Sequence, residues 1–195
     1  MSRIEISGNI ASGKTTLCRG LMSKGFQPIF EDFPKNPFFE EFYNDPQAYS
    51  FETEITFLLQ HYHLVKKQKS KVPHVCDYSL LLDSAYADVN LAGDKHRIFC
   101  EMAAELQNEI GFPSQIIHLE CPEEVLLQRI RARSRDVETS ITVDYLRALS
   151  KAISLRIKGI LGQISVISID SNAVDFTSGI EGIQELEPIK SVVTS

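Results

Sequence analysis

Short apolar runs alternate along this chain with longer stretches of helical period. Ile4–Ser7, Pro28–Phe30, His74–Cys76, Gln115–Leu119 and Ser165–Ile169 read as strands. Thr15–Lys24, Tyr49–Lys69, Leu80–Leu91, Lys95–Ile110, Glu123–Arg133 and Val143–Leu161 carry apolar residues at helical spacing. Strands alternating with helices predict a mainly parallel, five-stranded sheet covered on both faces, a three-layer α/β/α fold. The pairs Ile116-Ile117 and Val166-Ile167 suit strands buried on both sides. No repeat, low-complexity tract or linker breaks the pattern, so one domain over residues 1–195 is expected. Periodicity weakens after Phe176, and a polar tail at about 186–195 is expected to be mobile.

The first strand runs into Gly8-Asn9-Ile10-Ala11-Ser12-Gly13-Lys14-Thr15, then Thr16 and a helix. This matches G-x-x-x-x-G-K-[ST] between a strand and a helix, the phosphate-binding loop of a nucleoside-triphosphate site and of the P-loop NTPase type of α/β fold. Gly8 and Gly13 let the backbone curl so that its N–H groups face an anion. The helix N-terminus adds partial positive charge. Lys14 is placed to reach the β/γ-phosphates, and the Thr15 hydroxyl to ligate Mg²⁺.

Composition narrows the partners. The net charge of −6 argues against a generic nucleic-acid binder, which is normally basic. No apolar run reaches membrane-spanning length, and the N-terminus enters a strand at once, so neither a membrane partner nor a signal peptide is expected. Cys18, Cys76, Cys100 and Cys121 lack metal-ligand spacing and sit in or beside apolar elements. They read as free thiols in a reducing cytoplasm.

In open parallel sheets chemistry collects at the carboxyl ends of strands. The second strand ends in Glu31-Asp32 and the third in Asp77-Tyr78-Ser79. A carboxylate there can take a hydroxyl proton or help hold Mg²⁺. Arg129, Arg131, Arg133 and Arg135 alternate, and such residues cannot all share one helix face. Beside a phosphate loop they read as an arginine-rich lid, at about 129–140, that stabilises a transferring phosphoryl group.

Through these motifs the chain resembles the deoxynucleoside kinase family, especially bacterial deoxyadenosine/deoxyguanosine kinases. The likeness runs from about Arg3 to Phe176. It rests on GNIASGKTTL, Glu31, the NPFFEEFYNDPQAYSF segment at Asn36–Phe51, DYSLLLD at Asp77–Asp83, RIRARSRDVE at Arg129–Glu138, DYLRAL at Asp144–Leu149, and the VISID strand with Asp175-Phe176. The resemblance implies an ATP- and Mg²⁺-dependent kinase of nucleotide salvage, with ATP or another triphosphate as donor and a deoxynucleoside as acceptor. It implies Glu31 as the base for the 5′-hydroxyl, with Arg129 near that hydroxyl and the transferring phosphoryl group. Tyr43 and Glu138 would hold the sugar 3′-hydroxyl, Thr15 and Asp77 would lie near Mg²⁺, and Arg133 and Arg135 would lie over the donor phosphates. Glu54, His61, Asp83 and Tyr86 would line the nucleoside site. A homodimer, or a heterodimer with a related kinase subunit, is also implied; the apolar surface of Leu80–Leu91 and Met102–Ile110 is a candidate interface.

Three positions depart from the family pattern. Tyr78 stands where the family carries arginine, and Glu54 and His61 stand where it carries a base-binding glutamine and an arginine; Asp83, the partner of that arginine, is kept. An ionised Glu54 can only accept hydrogen bonds, which suits the adjacent N1–H and N2–H₂ donors of guanine. His61, near the same helix face, would then donate to guanine O6 or N7, with deoxyadenosine the next candidate. A nucleoside monophosphate kinase shares loop, sheet and lid. A nucleotide-binding subunit with weak catalysis is the reading that the three departures motivate.

Overall fold

A computed structural model of the chain describes residues 2–68 and 72–189. One sheet is formed by β1 (Arg3–Gly8), β2 (Gln27–Ile29), β3 (His74–Cys76), β4 (Gln115–Glu120) and β5 (Ser165–Asp170). Its order is β2-β3-β1-β4-β5, and every pairing is parallel. Central β1 is buried along all six residues. The strand order switches sides at β1, so a crevice opens at the carboxyl ends of β1, β2 and β3.

The helices are α1 (Lys14–Gly20), α2 (Phe39–Asn44), α3 (Pro46–Lys66), α4 (Leu80–Asn90), α5 (Gly93–Ile110), α6 (Glu123–Arg133) and α7 (Val143–Ile160). Strand alternation sorts the two cores. Ile4 and Ile6 of β1, with Ile117 and Leu119 of β4, meet Leu17 of α1 and Leu21 just after it. Ile116 turns to the other face and meets Leu82 and Ala85 of α4 and Ile153 and Ile157 of α7. α3 and α5 pack outside α4 through Leu58, Leu80, Ala87, Phe99 and Ala103. The predicted α/β architecture with its parallel sheet is thus observed. The apolar side chains Leu80, Leu82, Ala85 and Ala87 of α4 face the core and are not free surface.

Local chemistry sets the element ends. Asp45 caps α3 by accepting from the Ala48 N–H at 3.1 Å, with Pro46 in the first turn. Ser79 caps α4 by accepting from the Leu82 N–H at 3.0 Å, which leaves Asp77 and Tyr78 outside the helix. Two boundaries differ from expectation. α1 ends at Gly20 and tightens into a 3₁₀ turn over Leu21–Lys24. α3 begins before Tyr49 because Asp45 and Pro46 supply a start signal that apolar spacing does not carry. The expected end of that helix at Lys69 lies outside the described residues.

Part of the expected tail is packed. Gln184–Ile189 forms a 3₁₀ helix, and Leu186 and Ile189 are buried with Ile4 and Ile6. Residues 190–195 lie outside the described residues. Among the described residues no helix is long and apolar enough to cross a membrane. The four cysteines are unpaired, with Cys18 and Cys76 buried and Cys100 and Cys121 half-buried.

Leu186→Ala should lower the unfolding free energy by about 2–5 kcal/mol, the usual result of emptying a closed core site. Denaturant unfolding measures it; a loss within ~0.5 kcal/mol would place Leu186 at an exposed position instead.

Candidate active site

The phosphate loop is tied down from behind. Asn9 donates from Nδ2 to the Leu146 carbonyl at 2.8 Å and to Ser150 Oγ at 2.9 Å, both on α7. Its Oδ1 accepts from the Ile10 N–H at 2.7 Å. Ile10 is buried against Leu126, Ile130, Ile141, Leu146 and Leu149. Asn9 was expected to bind nucleotide, but its side chain instead anchors the loop to α7, and neither it nor Gly8 lines the main cavity. Gly8 has φ +151°, and a Cβ there would stand 2.7 Å from Ser12 Oγ and 2.9 Å from the Leu119 carbonyl. Gly13 has φ +100° and packs on Phe176, 3.2 Å from where a Cβ would lie. Both positions therefore need glycine. Lys14 Nζ donates to the Gly8 and Asn9 carbonyls at 2.9 and 3.0 Å, and burial lowers its pKa.

The loop opens into a cavity of about 620 Å³. Ile10 to Thr16, Glu31, Tyr43, Glu54, His61, Asp77, Asp83, Tyr86, Arg129, Arg133, Arg135 and Glu138 line it. Every other predicted site residue is thus brought together. Asp77 joins the two ends of the site. Its Oδ2 accepts from the Thr15 hydroxyl at 2.7 Å, and its Oδ1 accepts from the Glu31 N–H at 2.7 Å. Burial raises the Asp77 pKa despite these two bonds.

Glu31 is half-buried. Burial alone would raise its pKa, but His61, Lys14 and Arg135 outweigh it and hold the carboxyl below the ordinary glutamate value. His61 Nδ1 lies 2.9 Å from both Asp83 oxygens, and its Nε2 lies 3.3 Å from Glu31 Oε1. Burial disfavours charge on the ring, yet Asp83 and Glu31 push its pKa up to about 10. Both ring nitrogens face carboxylates, and Nε2, at ion-pair distance from Glu31 without an aligned hydrogen bond, is the one nitrogen that Glu31 and a purine O6 or N7 would compete for. The Tyr78 ring lies flat on His61, with centroids 4.0 Å apart and planes at 11°.

Glu54 also departs from expectation. Burial raises its pKa to about 8, although Asn90 Nδ2 donates to Oε1 at 2.7 Å. The Tyr145 hydroxyl in turn donates to Asn90 Oδ1 at 3.1 Å. At neutral pH the Glu54 carboxyl keeps its proton, so it can both donate and accept. Glu54 is therefore not the acceptor-only group that would single out guanine.

The lid follows helix geometry. Arg129 and Arg133 are one turn apart on α6 and share its cavity face. Arg131 points outward and is exposed. Ser134 turns left-handed, with φ 48°, and ends the helix; Arg135, just beyond it, lies over the Phe33 ring at 4.5 Å. Arg133 binds both oxygens of Glu138, Nε at 2.7 Å and Nη2 at 2.5 Å, and Arg135 Nη1 adds 3.3 Å. Arg129 donates to the Ala11 carbonyl at 3.4 Å and the Ser171 carbonyl at 2.8 Å, which places it against the phosphate loop. Sequence reasoning missed the aromatic wall of Phe33, Phe39 and Phe57. The density of Phe between Phe30 and Phe57 was its signal. It also missed Asn90 and Tyr145, for which no local signal exists.

A phosphate loop, a carboxylate tied beside it through Asp77, and an arginine-bearing lid define a phosphoryl-transfer enzyme of the P-loop class. The family model for deoxynucleoside kinases matches residues 4–193, and the chain belongs to the deoxynucleoside kinase family. It is 29% identical over 185 residues to the deoxyguanosine kinase of Bacillus subtilis (strain 168), covering 89% of this chain and 88% of that one. It is 31% identical over 179 residues to the deoxyadenosine kinase of Dictyostelium discoideum, covering 87% and 72%. The fold matches a deoxyadenosine kinase from M. mycoides solved with bound dCTP, with a TM-score of 0.83, 23% identity and coverage of 97% and 99%.

The raised Glu54 pKa has a stability consequence. A carboxyl raised on folding contributes stability that is complete below its ordinary value near 4.5 and is lost as pH rises through about 8. Glu54→Gln stays neutral throughout. Its melting temperature relative to wild type should therefore improve by at least about 2 °C between pH 5 and pH 9. A constant difference across that range would show that Glu54 ionises normally.

Proposed function

We propose that the protein transfers the γ-phosphoryl group of ATP, or another nucleoside triphosphate, to the 5′-hydroxyl of a purine deoxynucleoside. The observation that carries this reading is the Asp77 carboxylate, shared between Thr15 of the phosphate loop and the backbone of Glu31. It sets a proton acceptor beside the end of the cavity built for phosphate. The donor fits the loop: two glycines hold conformations closed to other residues, and the buried Ser12 hydroxyl has no protein partner among the described residues. Mg²⁺ fits Thr15 Oγ1 and Asp77 Oδ2, hard oxygen donors at one point. Bound there, the ion would neutralise charge on the donor phosphates.

The chain's own residues do the rest. Glu31 takes the proton of the 5′-hydroxyl as that oxygen bonds to the γ-phosphorus. The bond from the γ-phosphorus to the β,γ-bridging oxygen breaks, and the diphosphate leaves with the bonding electrons. Lys14, Arg129, Arg133 and Arg135 stabilise the charge that spreads over the phosphoryl oxygens. Tyr43 and Glu138 hold the sugar 3′-hydroxyl. Neutral Glu54 offers one donor and one acceptor, a pair that the Watson–Crick edges of adenine and of guanine can each meet. The names of the relatives support a purine, and the site geometry favours neither purine over the other.

Incubation of the four deoxynucleosides and their ribonucleoside counterparts with Mg-ATP, followed by product identification, tests the reading. A purine deoxynucleoside 5′-monophosphate is the expected main product; phosphorylation of monophosphates only would replace it with the monophosphate kinase reading. Glu31→Gln should lower kcat at least about a hundredfold with little change in nucleoside affinity. Lys14→Ala should nearly abolish turnover while the protein stays folded, and normal activity in that variant would overturn the kinase reading.

A further inference from the structure

The Glu31 main chain is held by Asp77, but its carboxylate stands in irregular chain just past β2 and needs a separate restraint. The ion pair it makes is with His61 of α3, at 3.3 Å. His61 is 2% exposed, and its orientation is determined from three directions. Nδ1 meets both oxygens of Asp83 at 2.9 Å. Tyr78 covers the ring face at 4.0 Å, and Phe57 stands 5.7 Å away at 28°. Rotation of the ring would break the Asp83 contacts and the Tyr78 stack together. Nε2 is therefore fixed toward Glu31 at ion-pair distance and, among the described residues, has no aligned hydrogen-bond partner. Lys14 and Arg135 also act on Glu31, but each is bonded elsewhere, to the loop carbonyls and to Glu138.

We propose that His61 is the positioning residue of Glu31: clamped by Asp83 and Tyr78, it sets the fixed Nε2 edge of its ring against the Glu31 carboxylate and keeps that group turned into the cavity. Asp83 is the second member of this device, because it orients the ring. The proposal rests on the reading of Glu31 as proton acceptor. It assigns His61 to the reaction and not to recognition of the base, and it gives Tyr78 a role as the platform of the ring.

A double-mutant cycle separates this from a structural role. Wild type, His61→Gln, Asp83→Asn, Glu31→Gln and the His61→Gln/Glu31→Gln double variant are compared for kcat, deoxynucleoside KM and deoxynucleoside affinity by calorimetry without ATP. His61→Gln should lower kcat at least tenfold, with KM and affinity within threefold of wild type and the ranking of bases unchanged. Asp83→Asn should follow in the same direction. The double variant should fall no more than threefold below Glu31→Gln alone, because His61 acts through a carboxylate that is already gone. Multiplied losses in the double variant, an unchanged kcat in His61→Gln, or an altered ranking of bases would each overturn the proposal. If thermal melting shows His61→Gln unfolded, Asp83→Asn takes its place in the same cycle. A Glu31→Gln variant with wild-type kcat would remove the Glu31 reading itself. A large Glu31→Gln loss with an independent His61→Gln loss would leave that reading standing and remove only the positioning role.

Discussion

One carboxylate holds the site together. Asp77 closes β3, and its two oxygens are divided between the Thr15 hydroxyl and the Glu31 N–H. Its own N–H donates to the Ile29 carbonyl at 3.2 Å, so the strand pairing of β2 and β3 continues directly into the site. The donor end and the proton acceptor are therefore spaced by a parallel sheet, whose register is set by hydrophobic burial. A one-residue slip between β2 and β3 would move the Glu31 N–H off Asp77 and leave that donor and Asp77 Oδ1 without each other. The alignment needed for in-line transfer is thus tied to the register of the sheet.

The cavity wall concentrates charge that a protein interior ordinarily excludes. Lys14, Arg133, Arg135 and His61 stand among Glu31, Asp77, Asp83 and Glu138. Each is tolerated because it is paired: Arg133 in a two-pronged bond to Glu138, His61 between two acids, Lys14 over loop carbonyls. Glu54 shows the other solution. It has a neutral amide as neighbour, so burial dominates and the carboxyl keeps its proton. Two glutamates in one cavity are thereby given opposite protonation states, one suited to taking a proton and one to offering a hydrogen bond.

Much of this was legible in the chain because the relevant physics is local. The phosphate loop, the acids at the ends of β2 and β3, and the lid arginines are contiguous motifs, and the long periodic helices α3, α5 and α7 announce themselves by spacing. What was missed was either too short to show a period or decided by distant neighbours. α2 is six residues long in an aromatic run, too short for a period to register. Leu186 and Ile189 read as tail because nothing nearby shows that Ile4 and Ile6 lie beneath them. The state of Glu54 depends on Asn90, 36 positions away, and on burial that spacing does not reveal. His61 read as a reader of the base because its sequence neighbours do not show that Asp83 and Glu31 meet at its ring.

The packing of Gln184–Ile189 against the central strand has a further consequence, for the order in which the molecule is made. β1 and the phosphate loop leave the ribosome well before Ile180, Leu186 and Ile189, which belong to the apolar cover over β1. Contacts of such long sequence separation form only after a large loss of chain entropy. On a growing chain this face of β1 therefore stays partly uncovered until the segment that carries Ile180, Leu186 and Ile189 has been made.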